Sequence, residues 1–368
     1  MTLDSLGESV FNAGGVIEND EQLTMFLPAL REAPWIAVDT EADSLHAYPE
    51  KLCLLQISIP DRDVLVDPLA SLDLAPLWKT LEGRELILHA ADYDLRLLAK
   101  HHGFIPARLF DTMIAARLLG CQQFGLANLV QQFLEVKLEK GPQKSDWAQR
   151  PLTSRMEEYA RNDTHFLRPL VEILERELIA KGRLDWCRES CSRLIVDSVG
   201  GEPVDPDRVW RIKGSAKLSG TELAVLRELC QWREKEAVRV NKPPYFILRH
   251  ETVIQVAQAA ATGDSVDDLL PRRFSTPRRA QVKRAIGRGL NVPAADFPQR
   301  LRNRQYFPNE REKARFKKLR DHRDRQAGEL AIDPTLIASK EMMLQLARDD
   351  SNGSWDGLME WQRNLLKE

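Results

Sequence analysis

"WIAVDTE", residues 35–41, is the stretch from which the fold can be argued. It is short, apolar and rich in strand-forming residues, so it predicts a buried β-strand. Because side chains alternate between the two faces of a strand, Asp39 and Glu41 point the same way. Two neighbouring carboxylates repel each other unless a cation lies between them, and a divalent metal ion is the common solution because hard ions prefer oxygen ligands. The alternative is that Thr40 and Glu41 leave the strand for solvent.

The segments that follow extend this strand into a sheet. Further strands are predicted at LCLLQISI (52–59), DVLVDP (63–68), ELILHA (85–90) and ARLFDT (107–112), with turns near 48–49 and 60–61. Helices are predicted over 91–102 with Gly103 as the stop, over 113–119 with Asp111 or Thr112 as the cap, over 153–180 with a kink at Pro169, and over 184–196. The order predicts a mixed sheet with flanking helices, an α/β fold, and after a linker at 198–208 an all-helical region.

Two more segments carry acids in positions that suit a metal site. In HAADYDL (89–95), Asp92 and Asp94 open a helix, where acids also favour the helix dipole. We take Asp92 as the capping acid and Asp94 as the ligand candidate. In EEYARNDTH (157–165), Tyr159 and Asp163 are four residues apart and share one helical face. An acid among apolar neighbours there is costly unless it is paired or bound to a metal ion.

Composition limits the class of protein. The chain has 368 residues, which suggests two or three domains, and it is 43% hydrophobic and 29% charged. No run of 18 apolar residues and no secretory pattern near the N-terminus are found, so a cytoplasmic location is expected. Five cysteines without a CxxC pair argue against a disulfide framework or a zinc ribbon.

Charge is distributed unevenly along the chain. Residues 271–320 contain 16 Lys or Arg and three acids, on a chain whose net charge is −2. Such a basic block predicts a polyanionic partner, with nucleic acid first among the candidates. The alternative is a solvated, charged helix face.

Taken together, the motifs resemble a known superfamily. D-T-E at 39–41, HAADYDL at 89–95 and Tyr159-x3-Asp163 resemble the three exonuclease motifs of the DEDD superfamily, and the tyrosine places the chain in the DEDDy branch. LCLLQIS, LFDTMIAARLL and SDWAQRPLTSRMEEYARND resemble the ribonuclease D family. After the linker, SGTELAVLRELCQWREKEAVRVNKPPYFILRHETVIQVA resembles an HRDC domain, and the last part of the chain, with AIDPTLIASKEMMLQLA, resembles a second, degenerate HRDC-like unit.

The resemblance implies an organisation and an activity. It implies a ribonuclease H-like exonuclease domain over 1–200, a linker over 201–214, an HRDC domain over 215–295 and a second HRDC-like helical domain over 296–368. It also implies a 3′→5′ exoribonuclease that releases 5′-mononucleotides, acting in tRNA 3′ maturation or on other structured RNA. The family's second motif often has an acid directly before the ligand Asp, whereas this chain has Tyr93.

The family's site residues carry over position by position. Two divalent ions, Mg²⁺ or Mn²⁺, are expected at Asp39, Glu41, Asp94 and Asp163. Tyr159 is expected to orient the attacking water, because a phenol with a pKa of about 10 is a poor base at neutral pH.

Other residues are weaker candidates. Gln56 and Trp147 are candidates either for substrate contact or for the core. Phosphate contacts are predicted for six basic residues: Arg233, Lys242, Arg272, Arg273, Arg278 and Arg279. A DNA 3′→5′ exonuclease and a non-catalytic nucleic-acid binder are the alternatives, and a monomer is expected.

Overall fold

A computed structural model describes residues 13–139, 141–200, 205, 207–299, 308–348 and 355–367. The chain divides into two compact units. The first comprises the described residues up to Ala42, Leu52–Gly200 and the described residues after 307; the second comprises Asp43–Lys51 and the described residues between 205 and 299.

A six-stranded mixed sheet lies at the centre of the first unit. Its strands are β1 (Ala13–Ile17), β2 (Ile36–Ala42), β3 (Leu52–Ile59), β4 (Arg62–Val66), β5 (Glu85–Leu88) and β6 (Arg108–Asp111). They lie in the order β1-β4-β3-β2-β5-β6. The pairs β2·β3 and β3·β4 are antiparallel, and the pairs β1·β4, β2·β5 and β5·β6 are parallel. This confirms the predicted mixed sheet with flanking helices.

Helices follow the strands along the chain. Those of the first unit before the linker are α1 (Asp20–Glu32), α2 (Ala75–Leu81), α3 (Asp92–His102), α4 (Thr112–Leu119), α5 (Leu126–Leu134), α6 (Ser154–His165), α7 (Leu167–Ala180) and α8 (Leu184–Val199). Every residue of β3 is buried, and six of its eight residues are apolar, as is typical of a central strand that helices cover. Gly103 ends α3 in the left-handed region at φ 64°, as predicted.

Two sequence predictions in this unit need correction. The long helix predicted over 153–180 is two helices that break at Phe166, and Pro169 is the third residue of α7. A proline fits there without a kink because the first N–H groups of a helix have no partner within it. The prediction also omitted β1, whose sequence AGGVI has two glycines and becomes a strand only by pairing with β4.

The second unit is helical. It contains α9 (Gly220–Val240), α10 (Pro244–Ile247), α11 (His250–Thr262) and α12 (Thr276–Leu290). Ser219 and Glu222 form a capping box at the start of α9, which satisfies two backbone N–H groups of its first turn. The hydrophobic core of the second unit includes Trp210, Leu226 and Val253.

The last helices belong to the first unit. They are α13 (Glu310–Leu330), α14 (Pro334–Ile337), α15 (Lys340–Arg348) and α16 (Glu360–Leu366). Trp361 of α16 stacks on Trp186 of α8 with 5.0 Å between ring centroids. Arg183 donates to the carbonyl of Leu330 at 2.8 Å. These contacts join the C-terminal helices to α8 and to the residue that precedes it.

Some predictions fall partly outside the described residues: the N-terminal residues 1–12, linker residues 201–204 and 206, and residues 300–307 of the basic block. Among the residues that the structure does describe, no helix combines the length and apolar character needed to cross a bilayer. The domain boundaries predicted from the sequence stay predictions.

Candidate active site

β2 presents the first two acids of the site. Asp39 lies opposite Gln56 of β3, and Glu41 lies opposite Leu54. Residues two apart on a strand share a face, so both carboxylates project to the same side of the sheet. The strand continues to Ala42, so Glu41 stays within the strand.

α6 brings the third acid to the same place. Asp163 lies on this helix, and ligand atoms of Asp39, Glu41 and Asp163 all lie within 4.8 Å of one another. Thr153 caps the start of α6 by accepting a hydrogen bond from the N–H of Met156 at 3.3 Å. The two elements are far apart in sequence, so the cluster exists only in the folded chain.

Asp94 lies beside this trio. It is the third residue of α3 and only 6% exposed, and its Oδ1 accepts a hydrogen bond from the hydroxyl of Thr40. Its charge raises the pKa values of Asp39, Glu41 and Asp163. Thr40, for which no role was predicted from the sequence, therefore orients the fourth acid. Its position inside the D-T-E motif is the sequence feature that hints at a place in the site.

The four acids lie close together, and the pKa values of all four carboxyl groups are raised. Burial first, and then the neighbouring carboxylates, raise the pKa of Glu41 to about 9 and hold that of Asp39 well above its ordinary range. Burial also raises the pKa of Asp163 to about 7 and that of Asp94 to about 6. Without a cation, four ionised carboxylates would repel one another at neutral pH, and protons relieve the repulsion.

The donor set fits a hard divalent cation. Among the residues that the structure describes, the ligand atoms that converge here are carboxylate oxygens, which Mg²⁺ and Mn²⁺ prefer to soft sulfur ligands. A bound cation would replace the protons and make the clustered charge favourable. The site therefore fits the metal ions that the family implies.

Tyr159 lies one turn before Asp163 on α6 and hydrogen-bonds to it. Burial and the negative charges of Asp163, Glu41 and Asp39 raise the pKa of the Tyr159 phenol far above its ordinary value. In the metal-free site the phenol is therefore protonated at neutral pH, where it can both donate and accept hydrogen bonds.

Two acids near the site have other roles. Asp111 is the N-cap of α4, as predicted, and accepts from the N–H groups of Met113 and Ile114. Asp92 does not cap α3 as predicted, because the cap position is Ala91 and no side chain caps that end. Asp92 is the first helical residue, where it pairs with Arg96.

Gln56 and Trp147 both lie in the interior. Gln56 is 0% exposed, and neither its Oε1 nor its Nε2 has a hydrogen-bond partner. Ser58, on the same face of β3, bonds to Thr164 of α6 at 2.7 Å, so the Gln56 carboxamide faces α6 as well. Trp147 is 1% exposed, with its ring centroid 6.1 Å from that of Tyr159.

The predicted phosphate-binding residues all lie in the second unit, in different settings. Arg233 is 2% exposed and donates to the carbonyl of Leu248, a buried structural position that does not fit the predicted phosphate contact. Arg279 bonds the carbonyls of Asp267 and Pro271 at 3.0 and 3.1 Å. Arg272, Arg273 and Lys242 are exposed, and Arg278 is partly exposed.

A cavity of about 400 Å³ lies among some of these residues. Its lining is formed by Glu236, Arg239, Arg273, Ser275, Pro277, Arg278 and Gln281. Glu236 bonds both Arg239 and Arg278, which keeps the pKa of its carboxyl low. With one acid against three arginines, the lining carries net positive charge.

Comparisons with known proteins agree with this geometry. Residues 15–179 match the family model described as 3′-5′ exonuclease, and residues 222–269 match the HRDC domain model. The chain is 36% identical over 276 residues to ribonuclease D of Gluconacetobacter diazotrophicus, covering 74% of this chain and 69% of the relative. It is 30% identical over 362 residues to ribonuclease D of Pseudomonas paraeruginosa, covering 95% and 94%.

A solved structure extends the likeness to three dimensions. Escherichia coli RNase D, an exoribonuclease involved in structured RNA processing, superimposes with a TM-score of 0.74 at 28% identity, covering 96% of this chain and 98% of that one. The sheet, the HRDC region and the relatives thus point the same way: this chain belongs to the ribonuclease D family and is a 3′→5′ exoribonuclease.

Proposed function

We propose that this enzyme trims the 3′ ends of structured RNA, tRNA precursors among them, and releases 5′-mononucleotides by two-metal-ion hydrolysis. The observation that carries the proposal is the convergence of Asp39, Glu41 and Asp163 within 4.8 Å, with Asp94 beside them. Acids with such raised pKa values are stable as a group when cations neutralise them.

Asp39, Glu41, Asp94 and Asp163 would hold the two ions, Mg²⁺ or Mn²⁺. When bound, such ions lower the pKa of a water and neutralise charge that develops on the leaving 3′ oxygen. The hydroxyl of Thr40 keeps the Asp94 carboxylate in a fixed orientation. One strand, β2, and two helices, α3 and α6, therefore supply a preformed set of oxygen ligands.

Tyr159 orients the attacking water in this proposal. Its hydroxyl donates a hydrogen bond to Asp163, so the lone pairs of the phenol oxygen remain available to accept a hydrogen bond from a water molecule. In the metal-free site, burial and the neighbouring carboxylates raise the pKa of the phenol and keep it protonated at neutral pH. Its contribution is orientation of the nucleophile rather than removal of a proton.

Substitution of the acids tests the active site. Asp39→Ala and Asp163→Asn are expected to abolish nucleotide release from a 3′-extended RNA in Mg²⁺ or Mn²⁺. The matched control is Glu158→Gln, an exposed acid on the same helix as Asp163, which should retain activity. Unchanged release by both site variants would mean that a contaminant does the trimming, and the non-catalytic binder would then be favoured.

The choice of RNA over DNA is tested with matched single strands. The HRDC domain match at 222–269 and the ribonuclease D relatives support RNA. We expect hydrolysis of the RNA strand to be faster than that of a DNA strand of the same sequence. A preference for DNA of more than tenfold would establish the DNA exonuclease instead.

Lys242, Arg272, Arg273 and Arg278 are the residues that we propose for phosphate contacts in the second unit. Their exposure and the positive lining of the 400 Å³ cavity support this role. Loss of a phosphate contact is expected to reduce the dependence of RNA affinity on salt by about one unit of the log–log slope.

The proposal extends to the domain boundaries, the oligomeric state and the location of the enzyme. We retain domains at 1–200, 215–295 and 296–368 with a linker at 201–214; the HRDC match supports the second of these. We propose a monomer that works in the cytoplasm. None of the five cysteines, all of which the structure describes, is in a disulfide, which suits a reducing compartment.

A further inference from the structure

The segment 141–153, between α5 and α6, packs directly on the catalytic-site tyrosine. A Cβ atom built on Gly141 would lie 1.5 Å from Cδ2 and 2.5 Å from Cγ of Tyr159. The backbone of Gly141 therefore touches the tyrosine ring where no larger residue fits. The ring of Trp147, from the same segment, lies 6.1 Å from that of Tyr159 at an angle of 36°.

Arg150 fastens this segment to the sheet. Its Nε donates to Asp67, and Nη2 donates to Asp67 Oδ1 at 2.7 Å and to the carbonyl of Cys53 at 2.6 Å. Its Nη1 donates to the carbonyl of Trp147 at 2.8 Å. One guanidinium thus joins the end of β4, the backbone of β3 and the residue that packs beside Tyr159.

The chemistry of Arg150 makes this joint rigid. Asp67 is almost fully buried, and a planar guanidinium matches its carboxylate with two parallel hydrogen bonds. Trp147 is held at its carbonyl and enclosed by Leu54, Leu65 and Met156. The segment therefore has a fixed place relative to the sheet that carries Asp39 and Glu41.

We propose that residues 141–150 form a tyrosine clamp, in which Gly141 and Trp147 fix the Tyr159 ring and Arg150, as a positioning residue, anchors them to the sheet. The clamp sets the direction of the phenol oxygen relative to the carboxylates. This inference rests on the proposed role of Tyr159 in orienting water. A ring displaced by about 1 Å is expected to lose on the order of 100-fold in rate.

A double-mutant cycle separates clamping from general packing. Gly141→Ala, Tyr159→Phe and the combined variant are compared with the wild-type chain on one 3′-extended RNA, with kcat and KM measured separately. Gly141→Ala is expected to lower kcat by about 100-fold and to leave KM within a few-fold. In the Tyr159→Phe background, where no hydroxyl remains to be oriented, the same change should lower kcat by less than about threefold.

Gly125→Ala is the matched control. Gly125 is in the same unit, its φ is −70°, and the nearest atom to a built Cβ is Nδ2 of Asn128 at 3.8 Å, an ordinary contact. Its kcat should stay at the wild-type value. If Gly141→Ala does not fold, Arg150→Lys takes its place in the cycle, because lysine keeps the charge beside Asp67 but cannot reach both backbone carbonyls.

The outcomes distinguish the two proposals. Full activity of Tyr159→Phe would refute the role of Tyr159 and the clamp with it. A loss in Tyr159→Phe, together with equal losses from the clamp substitution in both backgrounds, would overturn the clamp alone. A rise in KM without a fall in kcat would also overturn the clamp, since it would indicate damaged RNA binding.

Discussion

Glu41→Gln is the substitution for which the structure gives the sharpest expectation. Glutamine has nearly the shape of glutamate but does not titrate. Burial and the acids Asp163 and Asp94 raise the pKa of Glu41 to about 9, against 4.5 for an unperturbed glutamate. Without metal ions, folded Glu41 therefore keeps a proton at pH values where the unfolded chain has lost it.

The sign and size of the effect follow from these two pKa values. Since the folded form binds the extra proton, the contribution of Glu41 to stability is complete below about pH 4.5 and is lost as the pH rises toward 9. Each pH unit in this window lowers the unfolding free energy by about 1.4 kcal/mol. Between pH 5 and pH 7.5 the wild-type protein should lose about 3 kcal/mol through Glu41, and Glu41→Gln should not lose it.

Urea denaturation in a chelator at several pH values between 5 and 7.5 measures this directly. The variant is expected to show a shallower decline than the wild-type chain and to be the more stable protein at pH 7.5, although inactive. Addition of Mg²⁺ or Mn²⁺ should stabilise the wild-type chain at pH 7.5 and the variant much less. Glu158→Gln, exposed on α6, is the control and should follow the wild-type curve.

Parallel declines of the two proteins with pH would refute the reasoning. They would mean that Glu41 is ionised in the folded chain without a cation, and that the carboxylates do not form a strained cluster. Stabilisation of wild type and variant by the same amount on metal addition would contradict the assignment of Glu41 as a ligand.

Three further outcomes are expected. Calorimetry of Mg²⁺ or Mn²⁺ binding at pH 7 in buffers of different ionisation enthalpy should detect release of at least one proton, because Glu41 with a pKa of about 9 is protonated beforehand; a heat independent of buffer would contradict this. Gln56→Leu should raise the unfolding free energy in chelator by about 1–3 kcal/mol, because it removes a buried amide without hydrogen bonds; a loss of stability in urea denaturation would show that the amide is satisfied. Arg233→Ala should lower the melting temperature without changing the salt slope of RNA binding, whereas Arg273→Ala should flatten that slope and leave the melting temperature unchanged; the reverse pattern would contradict the burial of Arg233.

Local pattern was enough to predict the strands of the sheet around the site. The predicted bounds of β3, 52–59, agree with the structure, because a short and mainly apolar segment bounded by turns favours a buried strand. β1 was missed because AGGVI has little tendency of its own to form a strand and depends on β4. The sequence predicted a kink at Pro169, whereas the helix breaks at Phe166. The sequence does not show where the first turn of α7 begins, which is the turn that contains Pro169.

The site was predictable for a different reason. Periodicity placed Asp39 with Glu41 and Tyr159 with Asp163, but only the family resemblance joined the two pairs. What the sequence could not indicate is the surroundings of these residues: the contact between Thr40 and Asp94 that gives the middle residue of D-T-E its role, the raised pKa values, and the backbone of Gly141 against Tyr159. These depend on distances between segments that are far apart along the chain.

Arg233 shows why residue type alone misleads in the helical half. The stretches 226–237 and 316–327 resemble each other only loosely, yet Arg233 and Arg323 stand at the same position of α9 and α13. Each is buried and donates to a backbone carbonyl just after the next short helix, that of Leu248 or that of Ala338. In both segments, therefore, the guanidinium has a structural role at the end of the following short helix. Phosphate binding in the second unit is therefore expected at arginines that are not buried in this way. Arg273, which lines the cavity, is one of them.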